Sequence, residues 1–326
     1  MRLVQGLGFL PPAEGGCVAT IGNFDGVHIG HRAVIEKLTA AGRRLGLPIC
    51  VVLFEPQPRE YFDPGTAPPR LMRLREKLDR LADLPVDRVL LLRFTSRLAH
   101  MAAEAFIREI LIDGLGVRYL VVGDDFHFGR KRRGNFALLQ EYGRHHGFEV
   151  ADTPSVLLDG ERVSSTLVRQ ALARGDLDWA ARLLGRPYAV CGRVVHGAKR
   201  GRTLGFPTAN VLMRRKNVPV QGVFAVTMAG TGAVPLPGVA NVGIRPTVSG
   251  GSRVLLETHV LDFAGDLYGR MVEIEFHRKL SDERRFAGLP ELQAQIENDV
   301  AVARAYFAAP HSIPSFEPLP PTTNLR

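Results

Sequence analysis

Short apolar runs alternate with amphipathic segments through the first half of the chain. The run from Cys17 to Ile21 is apolar and β-branched and predicts a buried strand, while apolar positions from Ile29 to Leu38 recur at helical spacing. Further strands are predicted at 49–54, 89–92, 119–122 and 148–151, and further helices at 71–81, 102–111, 135–146, from 164, and at 179–184. This alternation predicts an α/β fold, a doubly wound parallel sheet with helices on both faces.

The spacing of apolar residues changes after Arg186 and Pro187. Five short strand-like runs separated by glycine and proline follow, at 188–195, 223–228, 238–242, 254–261 and 271–276. They predict a compact antiparallel β-barrel, and a C-terminal helix is predicted from Leu289 to Phe307. We therefore predict two domains, at 1–186 and 187–309, and a disordered tail at 310–326 that is rich in proline, serine and threonine.

The composition fits two soluble domains and gives the chain a positive net charge. The chain has 326 residues, of which 45% are hydrophobic and 23% charged, and its formal net charge is +9. That length suits two domains better than one, and the hydrophobic share suffices for two cores. The net charge indicates an anionic partner, and composition alone leaves open nucleic acid, a membrane surface or a phosphorylated small molecule.

The cysteines and the hydropathy pattern exclude several classes of protein. Cys17, Cys50 and Cys191 are odd in number and far apart, which argues against a disulfide framework or a zinc site. No run reaches the roughly 18 apolar residues of a membrane span. Residues 1–12 are broken by glycine and proline and make a poor signal peptide. We predict a cytoplasmic protein with no membrane partner.

The most distinctive polar stretch follows the first predicted strand and runs from Gly22 to His31 as Gly-Asn-Phe-Asp-Gly-Val-His-Ile-Gly-His. His28 and His31 are predicted to share one face of the helix's first turn, and a helix start favours anions. The helix dipole is worth only ~0.3–1 kcal/mol, whereas a nucleotide bound with a Kd of about 1 mM needs roughly 4 kcal/mol. Two histidines that donate to phosphate oxygens strengthen the case for a phosphate site. A lone histidine in this place would more often cap or decorate a surface helix.

This stretch resembles the HxGH signature of nucleotidyltransferases that act at the α-phosphate of ATP. In its long form it resembles the signature of the bacterial bifunctional riboflavin kinase/FAD synthetase family. The resemblance implies that the following residues bind ATP: Gly22, Asn23, Phe24, Asp25, His28 and His31. It also implies that the two histidines stabilise the charge that develops on the phosphates during adenylyl transfer.

Two other stretches of the first half bear on phosphate binding. Ser-Ser-Thr-x-x-Arg at 164–169 resembles the family element that faces the ATP phosphates, which implies that Ser165, Thr166 and Arg169 hold the triphosphate. Serine and threonine also cap helix starts without binding a ligand. The basic run at 130–133 is more often a solvated loop, and it could also screen a polyphosphate.

The resemblance places the flavin side of the same site at two further strand ends. The loop after the second strand resembles the family's flavin-side loop, which implies flavin contacts at Pro56, Pro58 and Phe62. It carries Gln57 where the family most often has histidine. Asp125 follows a later strand and matches a position that the family fills with Asp or Asn, which implies flavin and metal contact there. Carboxylate oxygens also suit Mg²⁺. Taken alone, adjacent acids at a strand end are as often a turn and a helix cap.

The second domain carries another glycine-rich basic stretch, at 197–210. It lacks the Gly-Lys-Ser/Thr of a Walker A loop, and composition alone favours a flexible loop. Its end, Gly-Phe-Pro-Thr-Ala-Asn, resembles the riboflavin kinase signature, and the stretch at 241–247 is a further match. The resemblance implies that ATP is bound here by Gly197, Lys199, Arg202, Gly205, Thr208 and Asn210, and that Thr208 and Asn210 hold Mg²⁺.

Glu257 lies in a predicted strand, where it shares one face with His259. By position alone it is more often an exposed acid at a barrel rim. The family resemblance makes Glu257 the general base that accepts the proton of the ribityl hydroxyl. Phosphoryl transfer mainly needs alignment, metal and charge neutralisation, so one carboxylate and one Mg²⁺ site can meet that demand.

The resemblance covers nearly the whole chain and implies two linked reactions. Riboflavin would be phosphorylated by ATP to FMN in the second domain, and FMN would be adenylylated by a second ATP to FAD and pyrophosphate in the first. The expected partners are riboflavin, FMN and ATP, with no nucleic acid, and the oligomeric state stays open, a homo-oligomer included. One alternative is an enzyme with a single working half. The other is an RNA-binding protein that uses the HxGH fold, although no aromatic–basic recognition motif is present.

Overall fold

The computed structural model describes residues 1–6, 15–153, 155–197, 204–213, 215, 217–246 and 252–309. These residues form two compact units. The first unit comprises Met1–Pro68 and Met72–Ser164, and the second comprises Pro69–Leu71 and Ser165–Arg326. None of the described helices is both long enough and apolar enough to cross a membrane.

The first unit is built on a parallel sheet, as the alternation of strands and helices predicts. Its strands are β1 (Arg2–Gln5), β2 (Cys17–Ile21), β3 (Ile49–Glu55), β4 (Arg88–Arg93), β5 (Val117–Val122) and β6 (Glu149–Asp152). They lie in the order β1-β4-β3-β2-β5-β6, and every neighbouring pair is parallel. The strand order reverses at β2, so β2 and β5 flank the point where a doubly wound sheet binds its ligands, beyond the carboxyl ends of the strands.

Helices connect these strands. They are α1 (Ile29–Leu45), α2 (Pro58–Phe62), α3 (Leu74–Ala82), α4 (Ser96–Ala99), α5 (Ala103–Ala105) and α6 (Phe136–His146). Helix α1 begins after His28 and ends at Gly46, whose φ of 65° allows the left-handed cap. The helix predicted at 102–111 is present, but α5 continues as a π-helix over Phe106–Ile112 that buries four apolar side chains. A short hairpin, β7 (Leu157–Leu158) and β8 (Glu161–Arg162), closes the unit.

The second unit starts with two helices and continues as a closed barrel. Its elements are α7 (Ser165–Arg174), α8 (Leu177–Leu184), β9 (Tyr188–Val195), β10 (Ala209–Leu212), β11 (Gly222–Ala229), β12 (Leu236–Pro246), β13 (Ser252–Val260), β14 (Met271–Ser281) and α9 (Leu289–Ala308). The barrel order is β10-β13-β12-β11-β14-β9, with all pairs antiparallel. The predicted barrel and C-terminal helix are confirmed, and β10 is a sixth strand that the pattern did not predict.

The boundary between the units involves two details that the sequence did not predict. Helix α8 packs against β9 and β14, so the second unit begins at Ser165. The domain boundary at residue 186 stays a prediction. The segment Pro69–Leu71 also belongs to the second unit, where Nε of Arg169 donates to the carbonyl of Pro69 at 2.7 Å. The predicted tail at 310–326 lies outside the described residues.

Candidate active sites

The loop after β2 is held in a backbone conformation that L-residues seldom adopt. Phe24 and Val27 have φ values of 47° and 43°, and Val27 is β-branched, which makes such a φ costly. Asp25 is 2% exposed, and its Oδ1 accepts the backbone N–H of Met72 at 3.0 Å. Strained residues persist only where their surroundings fix them, and they cluster at functional sites. The loop is therefore a rigid, preorganised element.

A buried lysine of α3 holds this loop through a hydrogen bond to its backbone. Lys77 is 1% exposed, and its Nζ donates to the carbonyl of Asn23 at 2.5 Å. A fully buried ammonium group is rare in proteins unless it is paired or hydrogen-bonded. Lys77 therefore fixes the loop backbone and places a positive charge beneath the predicted nucleotide motif.

The two histidines of the motif lie against each other at the start of α1. His28 is the N-cap residue, and its Nδ1 accepts the backbone N–H of His31 at 3.3 Å, so it precedes the first turn in which it was predicted. The two imidazole rings stack with centroids 3.6 Å apart, and the ring of Phe24 stacks on His31 at 4.6 Å. His28 is 6% exposed, and His31 is half-buried.

This arrangement determines which nitrogen of His28 can donate. Because Nδ1 accepts the cap hydrogen bond, the proton of the neutral ring is on Nε2. Nε2–H is then a hydrogen-bond donor next to the N-terminus of α1, where unpaired N–H groups and the helix dipole favour a phosphate. Gly30 allows this placement, since a Cβ there would lie 3.1 Å from Nδ1 of His28.

The predicted flavin-side residues lie at the carboxyl ends of β3 and β5. Pro56 follows β3, Pro58 is the first residue of α2, and Phe62 at the end of α2 is 64% exposed. The Phe62 ring contacts the ring of Phe94, with centroids 5.6 Å apart, in an aromatic cluster with Phe54 and Tyr61. The cluster is half-buried except for the exposed Phe62, and it offers an apolar platform for a planar ring.

The remaining predicted residues of the first site lie at two other places. Asp125 is exposed in the turn after β5, and its carbonyl accepts a hydrogen bond from Nδ1 of His127 at 2.8 Å. Ser165 is the first residue of α7, with Thr166 next and Arg169 one turn further, and all three belong to the second unit. Their contact with ATP stays a prediction.

In the barrel, strand pairing brings three polar residues into one row. Asn210 of β10 pairs with Glu257 of β13, and Glu257 pairs with Asn241 of β12. Directly paired residues on adjacent strands point to the same face of the sheet. Among the described residues, no hydrogen-bond partner lies within reach of the buried Oδ1 of Asn241. The row therefore presents one carboxylate between two amides.

A cavity of about 350 Å³ opens beside this row. Glu257, Asn241 and His259 line it from the barrel strands. Apolar side chains make up much of the rest of its lining, namely Leu204, Phe206, Val223, Val239, Phe286, Leu292 and Ile296. The other lining side chains are polar or charged, namely Thr208, Ser281, Asp282, Glu283, Arg284, Gln295 and Asp299. A cavity that combines apolar side chains with convergent polar groups is typical of a site for an organic ligand.

Thr208 lines this cavity and also a second one. It lines the cavity beside Glu257, and it also lines a smaller cavity of about 90 Å³ with Thr258, Asp266 and Tyr268. Of the other predicted ATP-binding residues, Gly205 is exposed with a φ of 85°, while Lys199 and Arg202 lie outside the described residues.

The residues of this region suit Mg²⁺ that arrives with a phosphate ligand. The described part of the chain contains no group of three or more His, Cys, Asp or Glu side chains that could hold a metal. Thr208 and Asn210 offer a hydroxyl oxygen and an amide oxygen, both of which are suitable ligands for a hard cation such as Mg²⁺. Mg²⁺ commonly binds through one or two protein oxygens, water and substrate phosphates, so these two residues fit it.

Gly197 leaves room for the amide group of Asn210. A Cβ at residue 197 would overlap the amide group of Asn210. We expect Gly197→Ala to displace that amide and to lower by about 10²-fold the riboflavin phosphorylation that the resemblance implies, measured as initial FMN formation. Gly232→Ala is the matched control, since nothing lies within 4 Å of the added methyl group. Wild-type turnover in Gly197→Ala would show that the position of Asn210 is unimportant.

Comparison with known proteins assigns the chain to a family. Residues 10–167 match the FAD synthetase family, and residues 184–307 match the riboflavin kinase family. The bifunctional riboflavin kinase/FMN adenylyltransferase of Pseudomonas fluorescens is 54% identical over 310 residues, which cover 95% of this chain and 99% of that relative. The chain belongs to the bifunctional riboflavin kinase/FMN adenylyltransferase family. The resemblance read from its motifs is thereby confirmed.

Further relatives extend the same comparison. The enzyme of the same name from Escherichia coli K12 is 53% identical over 308 residues, covering 94% of this family member and 98% of the relative. A crystal structure described as a macrolide-efflux protein from Streptococcus pneumoniae matches with a TM-score of 0.79 at 28% identity, over 93% of this chain and 99% of the other. The motif loop after β2 falls in the FAD synthetase match, and the Asn210–Glu257–Asn241 row falls in the riboflavin kinase match.

Two residues of these sites were not singled out from the sequence. Lys77 has the appearance of any polar residue on a surface helix, and only the packing of α3 buries it. Asn241 lies in a stretch that matches the family, but its pairing with Glu257 depends on the register of β12 and β13. The unusual feature that could have flagged Asn241 is an amide in the middle of an apolar strand.

Proposed function

We propose that the barrel transfers the γ-phosphoryl group of ATP to the terminal ribityl hydroxyl of riboflavin, giving FMN and ADP. The parallel-sheet unit then transfers AMP from a second ATP to FMN, giving FAD and pyrophosphate. Riboflavin, FMN and ATP are thus the small-molecule substrates, and the family membership supports both reactions. The finer assignment of residues and metal to each step is our proposal.

In the kinase step, Glu257 accepts the proton of the ribityl hydroxyl. The resulting oxygen nucleophile attacks the γ-phosphorus, and the bond to the β–γ bridging oxygen breaks as ADP leaves. Asn210 and Thr208 orient the phosphates, and Gly197, Lys199, Arg202 and Gly205 bind them. Mg²⁺ held by Thr208 and Asn210 supplies charge neutralisation on the transferring group when it is bound.

In the adenylyl transfer step, a phosphate oxygen of FMN attacks the α-phosphorus of ATP. The α–β bridging bond breaks, and pyrophosphate leaves with the negative charge. Nε2–H of His28, together with His31, stabilises the charge on the phosphates. The loop from Gly22 to Asp25 holds the nucleotide, and Ser165, Thr166 and Arg169 bind the triphosphate. Asp125 would hold the Mg²⁺ that accompanies this second ATP.

The flavin of the adenylyl transfer step binds on the aromatic platform at the edge of the sheet. Pro56, Pro58 and Phe62 give an apolar surface for the isoalloxazine ring, and Asp125 follows β5, which is separated from β3 by β2 in the sheet. Burial of apolar surface between rigid rings favours stacking over hydrogen bonding at this location. We propose that both steps take place in the cytoplasm.

The observation that carries this proposal is that Thr208 lines both cavities of the barrel, beside Glu257. The test is to incubate the pure full-length protein with riboflavin, ATP and Mg²⁺ and to separate the flavins by chromatography. We expect FMN to appear first and FAD to follow. Parallel incubation with FMN and ATP reports adenylyl transfer alone and identifies a chain with one working half. Unchanged riboflavin in the complete mixture contradicts the proposal.

Binding to RNA is the alternative of a different class. It predicts tight RNA binding that weakens steeply with salt, because phosphate contacts release counterions. Titration of labelled RNA at two salt concentrations distinguishes it from the two-step enzyme. We expect no salt-sensitive complex at the concentrations where flavin turnover is measured.

A further inference from the structure

Three aromatic rings form a continuous stack at the start of α1. The rings of Phe24 and His31 lie with centroids 4.6 Å apart and planes 26° from parallel, and the rings of His31 and His28 follow at 3.6 Å and 18°. A Cβ on Gly22 would lie 3.2 Å from Cε2 of Phe24, so the ring packs closely on that glycine. The placement of both imidazoles therefore depends on where the Phe24 ring is held.

Two hydrogen bonds from one segment hold the backbone around Phe24. Nζ of Lys77, on α3, donates to the carbonyl of Asn23 at 2.5 Å. The backbone N–H of Met72, just before α3, donates to Oδ1 of Asp25 at 3.0 Å. Asn23 and Asp25 are the two neighbours of Phe24 in the chain. Both sides of Phe24 are thus tied to the same short segment.

The segment that supplies these hydrogen bonds is itself fixed. Oε2 of Glu76 accepts the backbone N–H of Arg73 at 2.6 Å and so caps the start of α3. Met72, Glu76 and Lys77 are all buried. Phe24 has a φ of 47°, a backbone conformation that persists only where the surrounding structure fixes it. The capped start of α3 provides that surrounding structure.

A buried ammonium group is a costly choice for an ordinary link between a helix and a loop. Its desolvation costs several kcal/mol, whereas an unbranched apolar side chain would fill the space without that cost. A charge-assisted hydrogen bond is shorter and roughly twice as strong as a neutral one. Precise placement of the Asn23 carbonyl therefore explains a lysine at position 77 better than packing does.

We propose that Lys77 is a positioning residue for adenylyl transfer. Through the Asn23 carbonyl it places the ring of Phe24, and that ring places the two imidazoles that stabilise charge on the phosphates. This inference rests on the proposed function of the parallel-sheet unit. At 1% exposure, Lys77 acts through the loop and not by contact with a substrate. A displacement of about 1 Å at a reacting centre can cost 10²-fold in rate, so a shifted Phe24 ring would be felt at the phosphates.

The first test compares two variants of α3 in the full-length protein. Lys77→Met keeps an unbranched side chain of similar length and removes the donor. Arg75→Met, the matched control, removes an exposed cation from the same helix. We expect Lys77→Met to lower conversion of added FMN to FAD by about 10²-fold, with riboflavin phosphorylation unchanged. Arg75→Met should form FAD at the wild-type rate.

A purely structural role for Lys77 makes a different prediction, and the His31→Ala background separates the two roles. A destabilised unit would lose rate by the same factor whether His31 is present or absent. If Lys77 acts through the ring stack, Lys77→Met should have little further effect once His31 is removed, because residues that act as a unit are not additive. The measurement is the initial rate of FAD formation in the single and double variants.

The placement of the imidazoles can also be measured without activity. In the nuclear magnetic resonance spectrum of protein with isotope-labelled histidine, the ring signals of His28 and His31 report their stacking, since a neighbouring aromatic ring shifts them. The two signals are assigned from their absence in His28→Ala and His31→Ala. We expect both to move in Lys77→Met and to stay in place in Arg75→Met.

A second substitution keeps the test decisive if the methionine variant fails to fold. Lys77→Gln retains a neutral donor, so it should move the two histidine signals and lower FAD formation to an intermediate extent. Unmoved signals in the folded Lys77 variants, or an equal loss of rate with and without His31, overturn the assignment of Lys77. A wild-type protein that makes no FAD from FMN overturns the proposed function instead, and the histidine signals then still test the placement of the rings by Lys77.

Discussion

Glu257→Gln is expected to lower riboflavin phosphorylation by about 10²–10⁴-fold, the usual contribution of a general base. Glutamine keeps the size of the side chain and its place between Asn210 and Asn241, but it cannot accept the proton of the ribityl hydroxyl. FMN added directly should still be converted to FAD at the wild-type rate. The measurement is the initial rate of each reaction, with flavins separated by chromatography.

Another acid of the barrel provides the control for this variant. Glu275 lies on β14 and does not line the cavity beside Glu257, so Glu275→Gln should phosphorylate riboflavin normally. Normal phosphorylation by Glu257→Gln would remove Glu257 from the mechanism. A loss of both reactions in Glu257→Gln would mean that the two activities share one site, contrary to our proposal.

His28→Ala is expected to lower FAD formation by about 10²–10³-fold, comparable to the loss of one donor to a developing oxyanion. The variant removes the Nε2–H donor, and it also removes the cap that accepts the N–H of His31. Phosphorylation of riboflavin in the barrel should continue at the wild-type rate. The accumulation of FMN without FAD is therefore the result that we expect in the complete mixture.

A second variant separates the two roles of His28. Serine caps helices well, so His28→Ser keeps a hydrogen bond to the start of α1, worth about 1 kcal/mol, without reaching the phosphates. We expect His28→Ser to be as inactive in FAD formation as the alanine variant. Recovery of wild-type FAD formation in the serine variant would reduce His28 to a structural cap. His100→Ala, at an exposed helix end, is the matched histidine control.

Much of the fold follows from local patterns in the sequence. Strand β2 and the start of α1 lie where the apolar runs predict them, because buried strands and amphipathic helices leave clear periodic signals. Strands β1 and β10 were missed, since each has only four residues and owes its existence to pairing with distant partners. Long-range pairing leaves no local trace in the sequence.

Some residues of the candidate sites were identified from sequence motifs, and others were recognised only from the structure. The motifs identified His28, Asn210 and Glu257, but none of them shows that Asn210 and Glu257 are paired across adjacent strands. The burial of Lys77 and Asp299 was also invisible, because each occupies a helix position where polar residues are ordinary. Their burial depends on tertiary packing, which leaves no local signal in the sequence.

Helix α9 differs from the barrel in how it is attached. It adds no strand to the backbone ladder, and side chains such as Ala303, packed on the barrel, and Arg304, paired with Asp262, hold it in place. Elements held by side-chain contacts alone can detach in local openings that cost less free energy than global unfolding. The kinase cavity is thus lined on one side by a helix that can detach locally and on the other by hydrogen-bonded barrel strands. Outward movement of the helix would open the kinase cavity, and a ligand bound only in the closed cavity would make that opening rarer by mass action.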